Sequence, residues 1–393
     1  MRPMSKTSAL AAALLLGASF GPGCAGCGDP VDPGPDLTPA PDDDDTVDVQ
    51  YDRGYYLDMA LDTEGRVWLA FRNAEAGVLQ VARGAGDPAD FSEVWDVDGM
   101  QDTSGPIPTG GFQAGYYASI TLDGSNVPHV AHWNQEDGGL RYATLSGDTW
   151  AAEDAETGEV GQFTDIVLVN GQPLIAYYDY GSGALKAARK TDTGWQTEVV
   201  DGGDVGPDAT EAGLEAPDVG KYANLFVDAS GTPWIAYHDA ANGDLKVASG
   251  GFGAWSIVAS YGTGEATGAW PTLTENNGTL YVAFQNLDSH TLWWGTVAGG
   301  AITASAIDEG TFTGADSAIV WVDGNAAIMY QDSQTNDAKL AVQDGAGGWI
   351  LTTHMADGAV GFHNNLELDG SGRLNWACFD HTTTNFVFQR FDL

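Results

Sequence analysis

Aspartate or asparagine stands at one equivalent point in seven similar segments of the sequence, at intervals of 45 to 61 residues. The seven residues are Asn73, Asn134, Asp179, Asp239, Asn286, Asp332 and Asp380. Carboxylate and amide oxygens suit hard cations and sugar hydroxyl groups, so this set is a candidate ligand-binding site. Asp and Asn also hydrogen-bond their own backbone, and shaping a turn is what a residue repeated in every segment most simply indicates.

A second set of small polar residues occupies another equivalent position of the segments. Its members are Asp58, Ser119, Asp165, Asn224, Thr272 and Asn365. Aromatic residues stand just before them in five segments, namely Tyr56, Tyr117, Phe163, Tyr222 and Trp270. The chemistry open to either set depends on how the fold brings the segments together.

The segments are copies of one repeat. The clearest copy runs through Gly220–Asp228, Gly231–Asp239 and Gly243–Ala248 to Trp255. Less regular copies bring the number of repeats to seven. Each copy holds four short runs of β-branched and aromatic residues between Gly, Asp, Asn and Pro turns, and no useful helical periodicity. Four strands in a unit of this length predict a blade, so the sequence predicts an all-β, seven-bladed β-propeller.

The two ends of the repeat region predict how the ring closes. The last copy shows only three strands, up to Asp392, and therefore lacks a fourth. Before the first copy, Thr46–Tyr51 resembles Thr197–Asp201, the outer strand of the third copy. We expect Thr46–Tyr51 to complete the last blade, which would remove two exposed sheet edges.

A propeller places the two polar sets differently. The seven Asp and Asn residues end the second strand of each blade and lie on one face, here the top face. The second set lines the central channel, where it would bind ordered water or a ligand at the concave mouth. The aromatic residues beside it would pack between blades or, if they reach the surface, stack on sugar rings.

Two long connections, Asp98–Gly115 and Asp201–Gly220, also fall on the top face. Loops of this length in a compact domain are usually functional or mobile. The second is rich in acids and could wrap Ca²⁺, the one cofactor that the sequence allows for, although an unstructured acidic loop is the simpler interpretation.

The N-terminal residues predict export. Residues 1–27 combine a positive start, an apolar run and the small-residue segment around Cys24 and Cys27, as a signal peptide does. Either cysteine could carry the lipid of a lipoprotein anchor, and simple secretion is the alternative. Residues 28–45 form a Pro/Asp-rich linker, and residues 46–393 form the propeller. We expect an outer-membrane or cell-surface lipoprotein, or otherwise a secreted protein.

Composition excludes several functions. The sequence has 15 Lys and Arg against 55 Asp and Glu, a formal net charge of −40, so a nucleic-acid partner is excluded by charge repulsion. The third cysteine, Cys378, is predicted to be a small buried residue rather than a nucleophile. The seven histidines are scattered without metal-ligand spacing.

The repeat, roughly Gly-x-Tyr-x-Ser/Asn-Leu-x-Val-Asp followed by Gly-x-Pro-x-Ile-Ala-Tyr-x-Asp, resembles repeats of secreted bacterial propellers related to sialidase-like and lectin-like proteins. Thr191–Trp195 echoes the Asp-box of sialidases. The resemblance implies fold more than activity, and no catalytic residue or metal ligand is assigned. We expect a monomeric binding or scaffolding module for glycan or protein, attached to membrane only by lipid. The alternatives are a cation-dependent polysaccharide hydrolase or lyase and a purely structural propeller.

Overall fold

The computed structural model describes residues 53–99, 113–136, 138–203, 217–262, 266–310 and 312–393. These residues form 27 β-strands and no helix. None of the described segments is therefore a helix long and apolar enough to cross a bilayer. The leader, both of its cysteines and the linker lie outside the described residues, so the export and lipid-anchor predictions stay predictions.

The strands follow the four runs of each repeat. Blades 1 to 4 consist of β1 Arg53–Leu61, β2 Val67–Asn73, β3 Val78–Ala85 and β4 Asp90–Asp98; β5 Tyr116–Leu122, β6 Pro128–Asn134, β7 Gly139–Ser146 and β8 Thr149–Glu156; β9 Gln162–Val169, β10 Gln172–Asp179, β11 Ala184–Thr191 and β12 Gly194–Asp201; β13 Val219–Val227, β14 Pro233–Asp239, β15 Asp244–Ser249 and β16 Ser256–Tyr261. Blades 5 to 7 consist of β17 Thr267–Asn276, β18 Thr279–Asn286, β19 Thr291–Ala298 and β20 Ala301–Asp308; β21 Thr313–Val322, β22 Asn325–Asp332, β23 Asp337–Gln343 and β24 Trp349–Met355; β25 Phe362–Leu368, β26 Leu374–Asp380 and β27 Asn385–Phe391.

Each blade is an antiparallel sheet whose strands pair in chain order. Six sheets have four strands, and the seventh has three among the described residues. The innermost strands contact one another in the order β1, β5, β9, β13, β17, β21 and β25, and β25 in turn contacts β1. The predicted all-β, seven-bladed propeller is confirmed.

Neighbouring blades are held together by apolar clusters. In one of them Tyr177 and Ile175 of blade 3, both without solvent exposure, pack against Leu140 and Tyr142 of blade 2. The second strand of every blade is almost wholly buried because both of its faces meet other blades, and this explains its near-continuous apolar sequence. Removing such side chains typically costs about 2–5 kcal/mol each, so these clusters account for much of the stability of the ring.

Charged groups also join neighbouring blades, at the end of the outer strand. Asp201, which ends β12, accepts a 2.9 Å hydrogen bond from the Tyr237 hydroxyl and lies 3.2 Å from Lys246 Nζ, both in blade 4. Lys246 Nζ is also 2.7 Å from Asp239. The same arrangement joins Glu156 to Tyr177 and Lys186, Asp308 to Tyr330 and Lys339, and Asp98 to His132 and Arg141. We call these four sets the interblade clamps.

Among the described residues, β27 forms the outer edge of blade 7, next to blade 1. A groove of about 440 Å³ separates them, and its lining includes Phe91 of blade 1 and Phe386, Phe388 and Arg390 of β27. The Phe91 ring meets both phenylalanine rings edge-on, at centroid distances of 5.2 and 5.4 Å. The predicted closing strand Thr46–Tyr51 lies outside the described residues, and an unpaired β27 edge is the kind that native proteins cover.

The chain enters blade 1 as it enters every other blade. Arg53 N–H donates to Thr384 O at 3.0 Å, just as Val160 donates to Gly138 and Val360 to Asn336 at 2.9 Å. At those other junctions an outer strand precedes the donor in the chain. This equivalence supports the prediction that residues ahead of Arg53 supply the outer strand of blade 7.

A shortened chain tests that closure. We expect a chain starting at Asp52 to melt at least several degrees below one starting at Thr46, because an open sheet edge and the apolar groove would face water. Removing only Asp42–Asp45 is the matched control and should leave the melting temperature unchanged. Equal melting temperatures for all three chains would contradict the closure.

Cys378 is the one cysteine among the described residues, and its position confirms the prediction made for it. It is fully buried in β26, and its sulfur accepts the backbone N–H of Gly361 at 3.4 Å. Burial raises the pKa of the Cys378 thiol to about 12, so the group is protonated and unreactive at neutral pH.

Candidate functional site

The seven Asp and Asn residues at the ends of the second strands shape the turns that follow them. Asn73 Oδ1 accepts the backbone N–H of Ala76 at 2.9 Å, and Asp380 Oδ1 accepts that of Thr382 at 2.8 Å. Equivalent hydrogen bonds are made by Asn134, Asp179, Asp239, Asn286 and Asp332. These contacts give every member a structural role, and a ligand-binding role for the set stays a prediction.

The channel-lining residues lie at equivalent points of the innermost strands and link neighbouring blades at six of the seven junctions. Asp58 Oδ2 accepts the backbone N–H of Ile120 at 2.7 Å, and Asn365 Nδ2 donates to Leu57 O at 2.9 Å, which joins blade 7 to blade 1. Equivalent bonds join Ile166 N–H to Ser119, Leu225 N–H to Asp165, Leu273 N–H to Asn224 and Thr272 to Ser317 O. The set therefore satisfies backbone groups that would otherwise face the channel unpaired.

Two of these carboxyl groups share a single hydroxyl group. Ser119 Oγ lies 3.0 Å from Asp58 Oδ2 and 3.0 Å from Asp165 Oδ1. A hydroxyl group carries one hydrogen, so it donates to only one of them, and the other contact is favourable only if that carboxyl group is protonated. The geometry thus assigns a bound proton to this pair over part of the pH range.

The pKa values of the channel acids agree with that assignment. Burial raises the pKa of Asp58 to about 6, against the opposing effect of its hydrogen bonds. Burial and the nearby charge of Asp58 raise the pKa of Asp165 to about 7. Farther along the channel, desolvation and the nearby charge of Asp58 raise the pKa of Glu367 to about 7, but its side chain is exposed, so water screens part of this shift.

A ring of mostly aromatic side chains encircles the channel at its upper end. The ring is formed by the residue two positions after the glycine at the start of each innermost strand: Tyr56, Tyr117, Phe163, Tyr222, Trp270, Asp316 and His363. Centroids of adjacent rings from His363 through Tyr56 to Trp270 are 4.5 to 5.1 Å apart. All seven side chains are half-buried. We call this set the channel-mouth collar.

The collar residues share an unusual backbone conformation. Their φ angles lie between 45° and 55°, the left-handed region that residues other than glycine seldom adopt. Each sits in a β-bulge, where the pairing skips from Lys221 opposite His238 to Asn224 opposite Ala236, for example. The conformation costs on the order of 1 kcal/mol per residue. The same strain recurs at all seven collar positions.

The glycine before each collar residue is required by close packing. At Gly220, φ is 117° and a Cβ atom would lie 2.8 Å from the Cα atom of Leu185 in the preceding blade. Any side chain would therefore push the innermost strand away from its neighbour. The recurrent glycine of the repeat fixes the depth at which the collar residue sits.

The predicted Ca²⁺ site is not tested by the structure. Across the described ranges, no group of three or more His, Cys, Asp or Glu side chains is arranged to hold a metal ion. The acidic loop on which the Ca²⁺ prediction rested is described only at its two ends, since residues 204–216 lie outside those ranges.

Comparison with known proteins gives distant likenesses of fold. No protein-family model and no curated protein matches the sequence. The fucose-specific lectin from Aleuria aurantia is similar with 14% identity and a TM-score of 0.43, over 70% of this chain and 94% of that one. SapL1 lectin in complex with α-methyl fucoside is similar with 17% identity and a TM-score of 0.45, over 70% of this chain and 96% of that one. A putative 6-phosphogluconolactonase from Bacteroides uniformis is similar with 13% identity and a TM-score of 0.46, over 87% of this chain and 97% of that one.

Proposed function

We propose that this protein is a carbohydrate-binding propeller that holds its ligand against the channel-mouth collar, outside the cell. The observation that carries the proposal is the collar itself. Five aromatic rings and a histidine stand side by side around one concave opening, in a backbone conformation that costs free energy. Sugar rings present apolar faces that stack on aromatic side chains, and a concave opening lets several contacts act together.

The surroundings of the collar support recognition of hydroxyl groups. Polar side chains of the channel lie two residues deeper in the same strands, and the Asp and Asn turns lie on the same face. A sugar stacked on Tyr117 or Tyr222 would therefore meet hydrogen-bonding groups beside the aromatic surface. The leader-like residues 1–27 support export, which would place the module where extracellular glycans are found.

The hydrolase or lyase alternative has one observation in its favour. Asp58, Asp165 and Glu367 have pKa values raised to between about 6 and about 7, the range that suits a general acid. Against it, Asp58 and Asp165 are already engaged by backbone N–H groups of neighbouring blades. Groups committed in this way are poorly placed to exchange protons with a substrate, so binding is the better-supported function.

Binding of the purified chain to an array of neutral and amino-sugar glycans tests the proposal. The informative variants are Tyr117→Gly and Tyr222→Gly, because glycine adopts the left-handed backbone freely and the fold should persist. Losing one stacked ring should weaken binding about tenfold. The matched control is Phe252→Gly, which removes a half-buried aromatic ring from the turn between β15 and β16.

Three outcomes separate the hypotheses. Glycan binding that falls in both collar variants and survives in the control supports the proposal. No binding to any glycan overturns it and favours the structural propeller. New reducing ends or unsaturated products from a bound polysaccharide would instead establish the hydrolase or lyase.

A further inference from the structure

One carboxylate belongs to the channel-mouth collar, and three more carboxyl groups lie deeper in the channel. Asp316 occupies the collar position of blade 6 and accepts the backbone N–H of His363 through Oδ2 at 3.0 Å. Among the described residues, its other carboxylate oxygen has no hydrogen-bond partner. Asp58 and Asp165 lie two residues deeper in their strands, and Glu367 lies farther along the channel. A ligand at the collar therefore sits above three carboxyl groups and beside a fourth.

Two cations lie close to the collar, and only Lys221 is paired with a carboxylate. Lys221 precedes the collar residue of blade 4, but its Nζ is 2.7 Å from Asp218 Oδ2. Arg72 lies over the Tyr116 ring, 4.1 Å from its centroid, and donates to Ala114 O at 2.7 Å. The Asp316 carboxylate therefore disfavours an anionic ligand beside it and favours a cationic one.

Closely spaced aromatic rings and carboxylates are the two features that bind organic ammonium groups. An ammonium group within about 6 Å of an aromatic centroid is attracted by the ring quadrupole. Neighbouring centroids in the collar are 4.5 to 5.1 Å apart, so a group bound against one ring lies within reach of the next. A bare metal ion would need converging oxygen ligands instead, and the collar offers one carboxylate.

We propose that the collar binds an organic ammonium group, which on a glycan ligand is the protonated amine of an amino sugar. The inference deepens the proposed function, and it rests on that function only for the glycan part. The strained backbone fixes the rings before any ligand arrives, so little side-chain ordering opposes binding. Acidic glycans should be rejected, because their carboxylate or sulfate groups would approach Asp316.

Choline and its uncharged isostere 3,3-dimethyl-1-butanol are the probes that isolate the charge. We expect the full chain to bind choline saturably, at least about fivefold more tightly than the isostere, in a titration followed by ligand-observed NMR. Asp316→Asn and Trp270→Gly should each weaken choline binding about fivefold or more. Asparagine and glycine both tolerate left-handed backbone, so both variants should fold. Phe252→Gly should bind choline as the unaltered protein does.

A second comparison uses oligomers of glucosamine and of N-acetylglucosamine. Preference for the glucosamine oligomer that disappears in Asp316→Asn supports both the inference and the proposed function. Choline binding without any glycan binding supports the ammonium site and contradicts the proposed carbohydrate-binding function. Equal affinity for choline and its isostere, or glycan binding indifferent to the amine, overturns the ammonium site while leaving the carbohydrate function standing.

Discussion

Replacing Lys246 by methionine is expected to lower the free energy of unfolding by about 3–5 kcal/mol. Lys246 Nζ lies between Asp201, at 3.2 Å, and Asp239, at 2.7 Å. These two residues are only 7% and 1% exposed. Methionine keeps the length of the side chain but leaves two buried carboxylates without a counter-charge, and water cannot replace it. Urea unfolding at pH 7, followed by tryptophan fluorescence, measures the loss.

Lys190→Met is the matched control, because Lys190 pairs with Glu153 where both side chains are more than 30% exposed. An exposed pair of this kind contributes about 0–1 kcal/mol. Adding Asp201→Asn to Lys246→Met should recover part of the lost stability, since one uncompensated charge disappears. A loss no larger than that of the control would show that the interblade clamps are not needed to hold the blades together.

Raising the pH from 5 to 8 is expected to destabilise the folded ring by about 2–4 kcal/mol. Asp58 and Asp165 have pKa values raised to about 6 and about 7 in the folded chain, above the ordinary value of a carboxyl group. The folded state therefore holds protons that the unfolded chain has already released. The stability that they provide is complete below about pH 4 and is lost as the pH rises through the folded-state pKa values. Glu367 contributes little, because water screens its exposed side chain.

Asp165→Asn tests this explanation, because an amide keeps the size and hydrogen-bond acceptor of the side chain but cannot ionise. The variant should lose part of the pH dependence and be more stable than the unaltered chain at pH 8. Asp148→Asn, on an exposed turn, makes the same change in net charge and should leave the slope unchanged. Parallel stability curves for all three proteins would attribute the slope to general charge repulsion.

The fold was largely predictable because its information is local and repeated. Alternating apolar residues between Gly, Asp and Asn turns predicted the strands, and seven copies predicted the ring. The predicted ends of the second strands agree closely, since β26 ends at Asp380 as expected. The closing strand could be predicted only by analogy with Thr197–Asp201, and it stays a prediction because it lies outside the described residues.

The collar was only partly visible in the sequence. Aromatic residues were noted in five repeats, but Asp316 and His363 break the pattern by residue type and were missed. The feature that they share with the other collar residues is a positive φ angle. A positive φ angle can be predicted from residue type with confidence only for glycine. The recurrent glycine two positions earlier, as at Gly314 and Gly361, was the available clue.

The interblade clamps were missed for a different reason. Lys186, Lys246 and Lys339 recur at one position of the repeat, and an acid recurs at the end of the outer strand. The two positions belong to different blades, so only the stacking of blades reveals the pairing. A tyrosine two residues before the turn aspartate, as in Tyr237, completes the signal in three of the four clamps.

The interblade clamps also determine how this molecule meets its solvent. The sequence holds 15 basic side chains against 55 acidic ones, and the clamps place three lysines and Arg141 between blades. The outward surface is left with carboxylates that have few partners and depend on a counterion atmosphere. Dissolved salt would screen the repulsion among these surface carboxylates. It would have little effect on the half-buried ion pairs of the interblade clamps. We therefore expect dissolved salt to stabilise the folded chain and low salt to destabilise it.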